Sequence, residues 1–256
     1  RNLLQGDLGR SYIYNEPVLH LISGRLPATI ELVLVSVLGA LFIGVPLGML
    51  AGYRPDAWSS RIIMAVSILG FSVPTFWVGL ILILTFAVEL GWLPSGGRGD
   101  TAELFGTSWS FLTLNGWSHL ALPAINLALF KLAIMIRLAR AGTREVMLGD
   151  TVKFARAAGL SEWTIMSRHV LKLISIPIVT VFGLELGSTL AFAVVTETIF
   201  SWPGVGKLII DSIKNLDRPV MMAYLMLTAG LFVTINLVVD LVYAFLDPRL
   251  RRGGAA

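Results

Sequence analysis

The chain of 256 residues has no cysteine, little charge and only three histidines. Without cysteine there is no disulfide framework, no thiolate nucleophile and no cysteine-ligated metal. His20, His119 and His169 are too scattered to give a metal-ligand spacing. A phosphate-binding loop of the form G-x-x-x-x-G-K-[ST] is missing. Gly204-Val205-Gly206-Lys207 lacks that spacing and is followed by Leu208, so ATP hydrolysis by this chain is not expected. No G-x-S-x-G context surrounds Ser188, which leaves a serine hydrolase unsupported. The first 26 residues are polar and broken by Gly6, Gly9 and Pro17, unlike a signal peptide. The deficit that decides the class is charge. Only 14% of residues are charged and 55% are hydrophobic, whereas a soluble domain carries about 25% charged residues to keep its surface wetted.

What is present is a set of apolar blocks, each near the ~20 residues that cross a hydrocarbon core. They run over residues 28–52, 62–90, 120–136, 174–195 and 220–246. Continuous apolarity, rather than alternation over about ten residues, makes them helices and not barrel strands. The 62–90 block is long enough to require tilt, and the 120–136 block is short enough to extend at either end.

Loop charge sets the orientation. Residues 137–172 carry seven basic side chains (Arg137, Arg140, Arg144, Lys153, Arg156, Arg168, Lys172) against Glu145, Asp150 and Glu162. The turn at 53–61 and the tail 247–256 are also basic, while 89–118 holds Arg98 against Glu89, Asp100 and Glu103. The positive-inside bias therefore puts the 53–61 turn, the 137–172 loop and the tail in the cytoplasm. Residues 1–27, 91–118 and 196–218 fall outside. The net charge of +4 reflects this bias and does not point to nucleic acid. Five spans with an outside start lead to the expectation of a further span before residue 1.

The 149–169 stretch, GDTVKFARAAGLSEWTIMSRH, is too polar for lipid and too regular for a slack connector. Helix formers over 150–158 end at Gly159, and a second short helix starts with Ser161 as N-cap. Leu160 and Ile165 are spaced as a hydrophobic staple, and Glu162 suits the positive helix end. Trp163, Ile165 and Met166 need a cover. On spacing alone, anionic lipid touched by Arg156, Arg168 and Lys172 serves as well as a protein partner.

Residues 154–177, FARAAGLSEWTIMSRHVLKLISIP, resemble the cytoplasmic-loop signature of binding-protein-dependent permeases of the dipeptide, oligopeptide and nickel branch. DLGR at 7–10, LPSGG at 93–97, TETIFSWPGVG at 196–206 and NLVVDLVYAFLDPR at 236–249 resemble further family landmarks in family order. The resemblance implies an all-α polytopic membrane protein with the type I permease fold of ATP-binding cassette importers. Five of its expected six transmembrane helices are visible, with a cytoplasmic coupling helix. It further implies a location in the inner membrane of a bacterium or archaeon, with a second permease subunit, two ATPase subunits that use ATP and magnesium, and an extracytoplasmic solute-binding protein as partners. By that carry-over Ala155, Ala157, Gly159 and Leu160 form the motif turn. Ser161, Glu162, Trp163, Ile165 and Met166 belong to the docking face. Phe200, Trp202, Pro203 and Gly204 lie near the mouth of the pathway, where a binding protein docks. The expected cargo is short peptides or similar small solutes. This chain itself is expected to bind no cofactor or metal.

Charged residues inside spans need a reason. Asp240, near an inner end, reads as a bond to a neighbouring helix, and Glu31, near an outer end, reads as structural. Lys131 and Glu185 lie well inside their blocks. Either they pair across two spans, or they face the pathway and meet a zwitterionic substrate. Gly44, Gly48 and Gly52, and again Gly183 and Gly187, have the spacing that lets helices approach closely in lipid. Pro46, Pro74, Pro123 and Pro177 are expected to kink or begin helices. The rival architecture is a self-sufficient, ion-coupled secondary transporter that uses Lys131, Glu185 or Asp240. It would explain the charges and broken helices, but not a projecting loop of this sequence.

Overall fold

The computed structural model describes residues 8–246, apart from the side chains of Ala191, Asp240 and 242–246. The helices in chain order are α1 (Val18–Tyr53), α2 (Trp58–Ser72), α3 (Thr75–Leu82), α4 (Leu114–Leu148), α5 (Asp150–Ala157), α6 (Glu162–Thr164), α7 (Leu171–Ile199), α8 (Val205–Lys214) and α9 (Arg218–Leu246). Four stretches are long and apolar enough to cross a membrane: Val18–Tyr53, Leu114–Leu148, Glu162–Leu190 and Arg218–Val239. The pair Trp58–Ser72 and Thr75–Glu89 makes a fifth if counted as one broken span.

Several helices outrun the blocks expected from hydropathy. α1 begins at Val18 rather than near residue 28, and Pro27 lies inside it. Its 36 residues reach about 54 Å at 1.5 Å per residue, well beyond a ~30 Å core. Likewise α4 carries on from the expected 120–136 block to Leu148, so Arg137, Arg140 and Arg144 are helical rather than in a loop. The 62–90 block is not one helix. Val73 is extended (ψ 133°), as a residue before proline prefers, and Pro74 opens α3. α3 then loosens into a π-helical stretch over Ile83–Glu89.

The chain divides into two compact units. The first gathers residues 8–36, Pro74–Leu127 and Leu186–Thr234. Its core packs Val18, Leu21 and Ile22 of α1 against Val205, Leu208 and Ile209 of α8 and Val220, Ala223 and Tyr224 of α9. It also contains a hairpin that hydropathy did not signal, β1 (Ala102–Leu104) paired antiparallel with β2 (Thr107–Trp109). The two-residue turn has Phe105 at φ 54° and Gly106 at φ 73°, the pair of positive values that matches strand twist. The hairpin is a small addition to the all-α membrane fold expected from the sequence.

The second unit comprises Val37–Val73, Ala128–Glu185 and residues 235–246. Here α1 lies directly on α4. A Cβ on Gly48 would sit 2.5 Å from the Ile136 carbonyl and 2.7 Å from Ala139 Cβ. Gly44 and Gly52 are equally tight, against Met135 and Thr143. The four-residue glycine repeat therefore does what its spacing predicts, bringing two backbones together where lipid supplies no hydrophobic drive. Gly183 makes a similar close approach to Val239.

Candidate functional site

In the second unit, α5 and α6 form a helix, turn and helix beyond the end of α4. α5 ends in a complete Schellman arrangement. The Leu160 amide donates to Ala155 O (3.1 Å), the Gly159 amide donates to Arg156 O (3.0 Å), and Gly159 has φ +78°. Ser161 is the N-cap of α6, its hydroxyl accepting from the Thr164 amide at 3.3 Å. The expected stop and start are both in place. α6 is not a separate helix, however, because Ile165–Val170 carries it as a π-helical stretch directly into α7.

The loop divides its apolar residues between two tasks. Val152, Ala155, Ile165 and Val170 are buried with Ala139 and Ile174 in the core of this unit. Ala155 and Ile165, expected on the motif turn and docking face, therefore anchor the loop instead of meeting a partner. The turn is further tied by Arg156, whose guanidinium grips both oxygens of Glu162 at 2.7 and 3.2 Å. Ala157, Gly159, Leu160 and Ser161 are exposed, and Met166 is half-buried. Phe154 and Trp163 stand out at 78% and 80% exposure. Trp163 and Met166 also edge an apolar groove of about 660 Å³ that includes Val45, Met49 and Ile178.

The first unit contains a junction that sequence reasoning left out. Glu197, near the end of α7 and past the apolar stretch that closes at Leu190, is fully buried. Its carboxylate accepts from Thr29 Oγ1 (2.6 Å) and from the Lys207 amide (2.9 Å) in the first turn of α8. Burial nonetheless pushes its pKa up to about 7, outweighing these donors. Thr29 Oγ1 accepts in turn from the Val205 amide at 2.9 Å. Gly204 and Gly206 let the α8 backbone close on the carboxylate, which a Cβ at either position would strike. Phe200 and Trp202 are both at 0% exposure, and Trp202 Nε1 donates to the Ala28 carbonyl at 2.8 Å. The expectation that Phe200, Trp202 and Gly204 face a binding protein is corrected by their burial. Only Pro203 of that group is exposed.

Two more carboxylates hold outlying segments of this unit. Glu31 pairs with Arg98 at 2.8 Å and accepts from the Phe111 amide at 2.6 Å, which fits the structural role its position suggested. Asp217 takes the Ser11 hydroxyl and the Tyr12 amide, closing the segment before α1 onto the start of α9. A signal for Glu197 did exist, an acid directly before the aromatic, proline and glycine run at 200–206. For Glu31 and Asp217 the partners lie too far away in sequence to be read.

Lys131 and Glu185 meet in an ion pair between α4 and α7, as the pairing alternative required. Their side chains are 7% and 18% exposed. Asp240 falls in α9, but its side chain lies outside the described residues, as does the landmark at 247–249. Among the described residues no group of three histidine or acidic side chains is placed to hold a metal.

A family model described as the inner membrane component of binding-protein-dependent transport systems matches residues 44–252. The chain is 41% identical over 262 residues to the di/tripeptide transport system permease protein DppB of Pseudomonas aeruginosa, covering 98% of this chain and 78% of that protein. It is 40% identical to the oligopeptide transport system permease protein AppB of Bacillus subtilis, with 97% and 77% covered. To the glutathione transport system permease protein GsiC of Escherichia coli it is 36% identical, with 98% and 76% covered. Among solved structures, a chain of the inward-facing MetNI methionine ABC transporter superposes with a TM-score of 0.72 at 16% identity, covering 90% of this chain and 97% of that one. An amino acid ABC transporter chain gives 0.61 at 15% identity, with 87% and 92% covered. At such identities the likeness is one of fold.

Proposed function

Because the chain belongs to the family of inner-membrane components of binding-protein-dependent transport systems, we infer that it forms the translocation pathway for short peptides or similar small solutes. It is a multi-pass permease subunit of an ATP-binding cassette importer. Its cargo arrives from an extracytoplasmic binding protein, and the names of its peptide-carrying relatives support that cargo class. The remaining partners are a second permease and two ATPase subunits, which bind ATP and magnesium. This chain contributes no covalent chemistry.

The observation that carries the reading is the loop from Asp150 to Val170. It is fixed from within by Val152, Ala155, Ile165 and Val170, capped at both ends of its turn, and left with Phe154 and Trp163 outside. A short element that is rigid at its base and apolar at its tip suits a joint with another protein. The continuous run from α6 through the π-helical stretch into α7 gives that joint a lever. When nucleotide draws the ATPases together, force on the tip moves α7 as a rigid body, which biases the permease between two states.

The test is affinity purification of the tagged chain from its native membrane, with phosphate release from ATP as the readout. The parent should elute with ATPase activity and a second permease. Trp163→Asp should keep the permease and lose the ATPase. Absence of ATPase from intact parent complexes, with uptake driven by an ion gradient, would instead establish the secondary transporter.

A further inference from the structure

In the second unit a line of charged and aromatic side chains runs across α2, α4 and α7. The Arg137 guanidinium lies 4.7 Å from the centre of the Phe71 ring. Phe71 stacks on Phe130 with centroids 4.7 Å apart and planes 22° from parallel. The Lys131 ammonium is 5.3 Å from the Phe130 ring, and it also meets Glu185. Two cations and two rings thus form a column with one carboxylate at its far end. Exposure grades along it. Arg137 is exposed and Phe71 is 44% exposed, whereas Lys131 is buried.

A column that served packing alone would have no use for an open, cationic end within a span. Arg137 lies just past the apolar 120–136 block, toward the inner end of α4, where a charge is still costly to present to lipid and faces a bundle interior, a water-filled cavity or the interface. Aromatic faces stabilise cations within about 6 Å and hold them in place without neutralising them. Among the described residues Glu185 pairs with Lys131, at the end of the column away from Arg137. The open end of the column therefore carries excess positive charge beside low-dielectric walls, which concentrates anions.

We propose that the column formed by Arg137, Phe71, Phe130 and Lys131 lines the translocation pathway and favours solutes that carry a carboxylate, as a short peptide does at its C-terminus. This deepens, and rests on, the importer reading.

The absence of native cysteine gives a clean experiment, since any introduced thiol is unique in this chain. Phe71→Cys, with Phe130→Cys as a second reporter, is placed in the assembled complex in proteoliposomes. Under turnover it is labelled with membrane-impermeant methanethiosulfonates, one sulfonated and one carrying trimethylammonium. Labelling should occur, with the anionic reagent faster by about tenfold. Arg137→Gln should erase that preference. Leu69→Cys, exposed but two residues away and so on another side of α2, should stay unlabelled. Binding-protein-stimulated uptake is measured in parallel on the parent complex. Intact parental uptake with both reporters unlabelled, or labelled without charge preference, overturns the inference alone. A parent complex without such uptake overturns the importer reading and the inference with it.

Discussion

The turn that links α7 to α9 and the loop that links α4 to α7 are of similar length and use the same devices, yet they spend their aromatic residues in opposite ways. The first buries Phe200 and Trp202 completely and closes over a buried carboxylate. The second buries small and branched aliphatics and leaves Phe154 and Trp163 in the open. Aromatic side chains contribute the largest apolar areas available. Placed inside, they stiffen a junction; placed outside, they wait for a surface. The comparison separates a strut from a joint, although the sequences of the two segments look equally rich in aromatics and glycine.

The strut should break most severely at its carboxylate. Glu197→Ala leaves the Thr29 hydroxyl and the Lys207 amide without their acceptor inside the first unit. Each donor orphaned in this way costs about 1–3 kcal/mol, so thermal unfolding in detergent should show a larger loss for this variant than for Gly48→Val, Gly159→Ala or Trp163→Ser. The same group gives a pH signature. Its folded pKa of about 7 lies above the ordinary 4.5, so the folded state holds this proton more tightly than the unfolded one. The stabilisation is complete below pH 4.5 and is lost as pH rises through 7. Melting temperature should therefore fall between pH 5 and pH 8 in the parent, and less so in Glu197→Gln.

How far this contrast was legible in the sequence depends on the range of the contacts. The loop could be read closely, because Gly159 just past the C-cap of α5, Ser161 at the N-cap of α6 and the staple spacing of Leu160 and Ile165 act over a few residues. The glycine repeat of α1 was legible for the same reason. Which loop residues turn inward was not, since Ala155 and Ile165 are chosen for the core by Ala139 and Ile174 on other helices. The strut misleads outright. Phe200 and Trp202 look like residues offered to a binding protein until α1 supplies the Ala28 carbonyl to Trp202, 174 residues away. The hairpin and the early start of α1 share this cause, because mean hydropathy reports the lipid-facing blocks and is blind to elements that finish outside them, whereas the break at Pro74 is the one that this proline led one to expect.

The second unit has its own rigid contact, and it lies away from the loop. Gly48→Val would drive a branched side chain into the Ile136 carbonyl and Ala139. Overpacking of this kind costs about 1–3 kcal/mol, and a loss of monodisperse protein on size-exclusion chromatography would report it. A smaller effect is expected at the turn. Gly159 has φ +78°, and a Cβ added there would have nothing within 4 Å. Gly159→Ala therefore meets no clash and bears only the left-handed backbone penalty of about 1–2 kcal/mol. The melting temperature should fall slightly, with ATPase association weakened through the displaced turn.

The sharpest test of the contrast is the change that should do least to the fold. Trp163 is 80% exposed, and its replacement removes no buried contact from the loop core. A surface substitution of this kind stays within about 0.5 kcal/mol of the parent, so Trp163→Ser should unfold at the parental temperature. If the exposed tip is a joint, the same variant should lose ATPase association and uptake together, because an aromatic anchor at the centre of an interface accounts for much of its binding energy. Phe200→Ser should do the reverse, unfolding early, with coupling lost only as far as folded protein is lost. Measured side by side, the pair decides the matter: equal destabilisation would make both segments struts, whereas a stable but uncoupled Trp163→Ser can arise only if the loop's aromatic surface serves another chain.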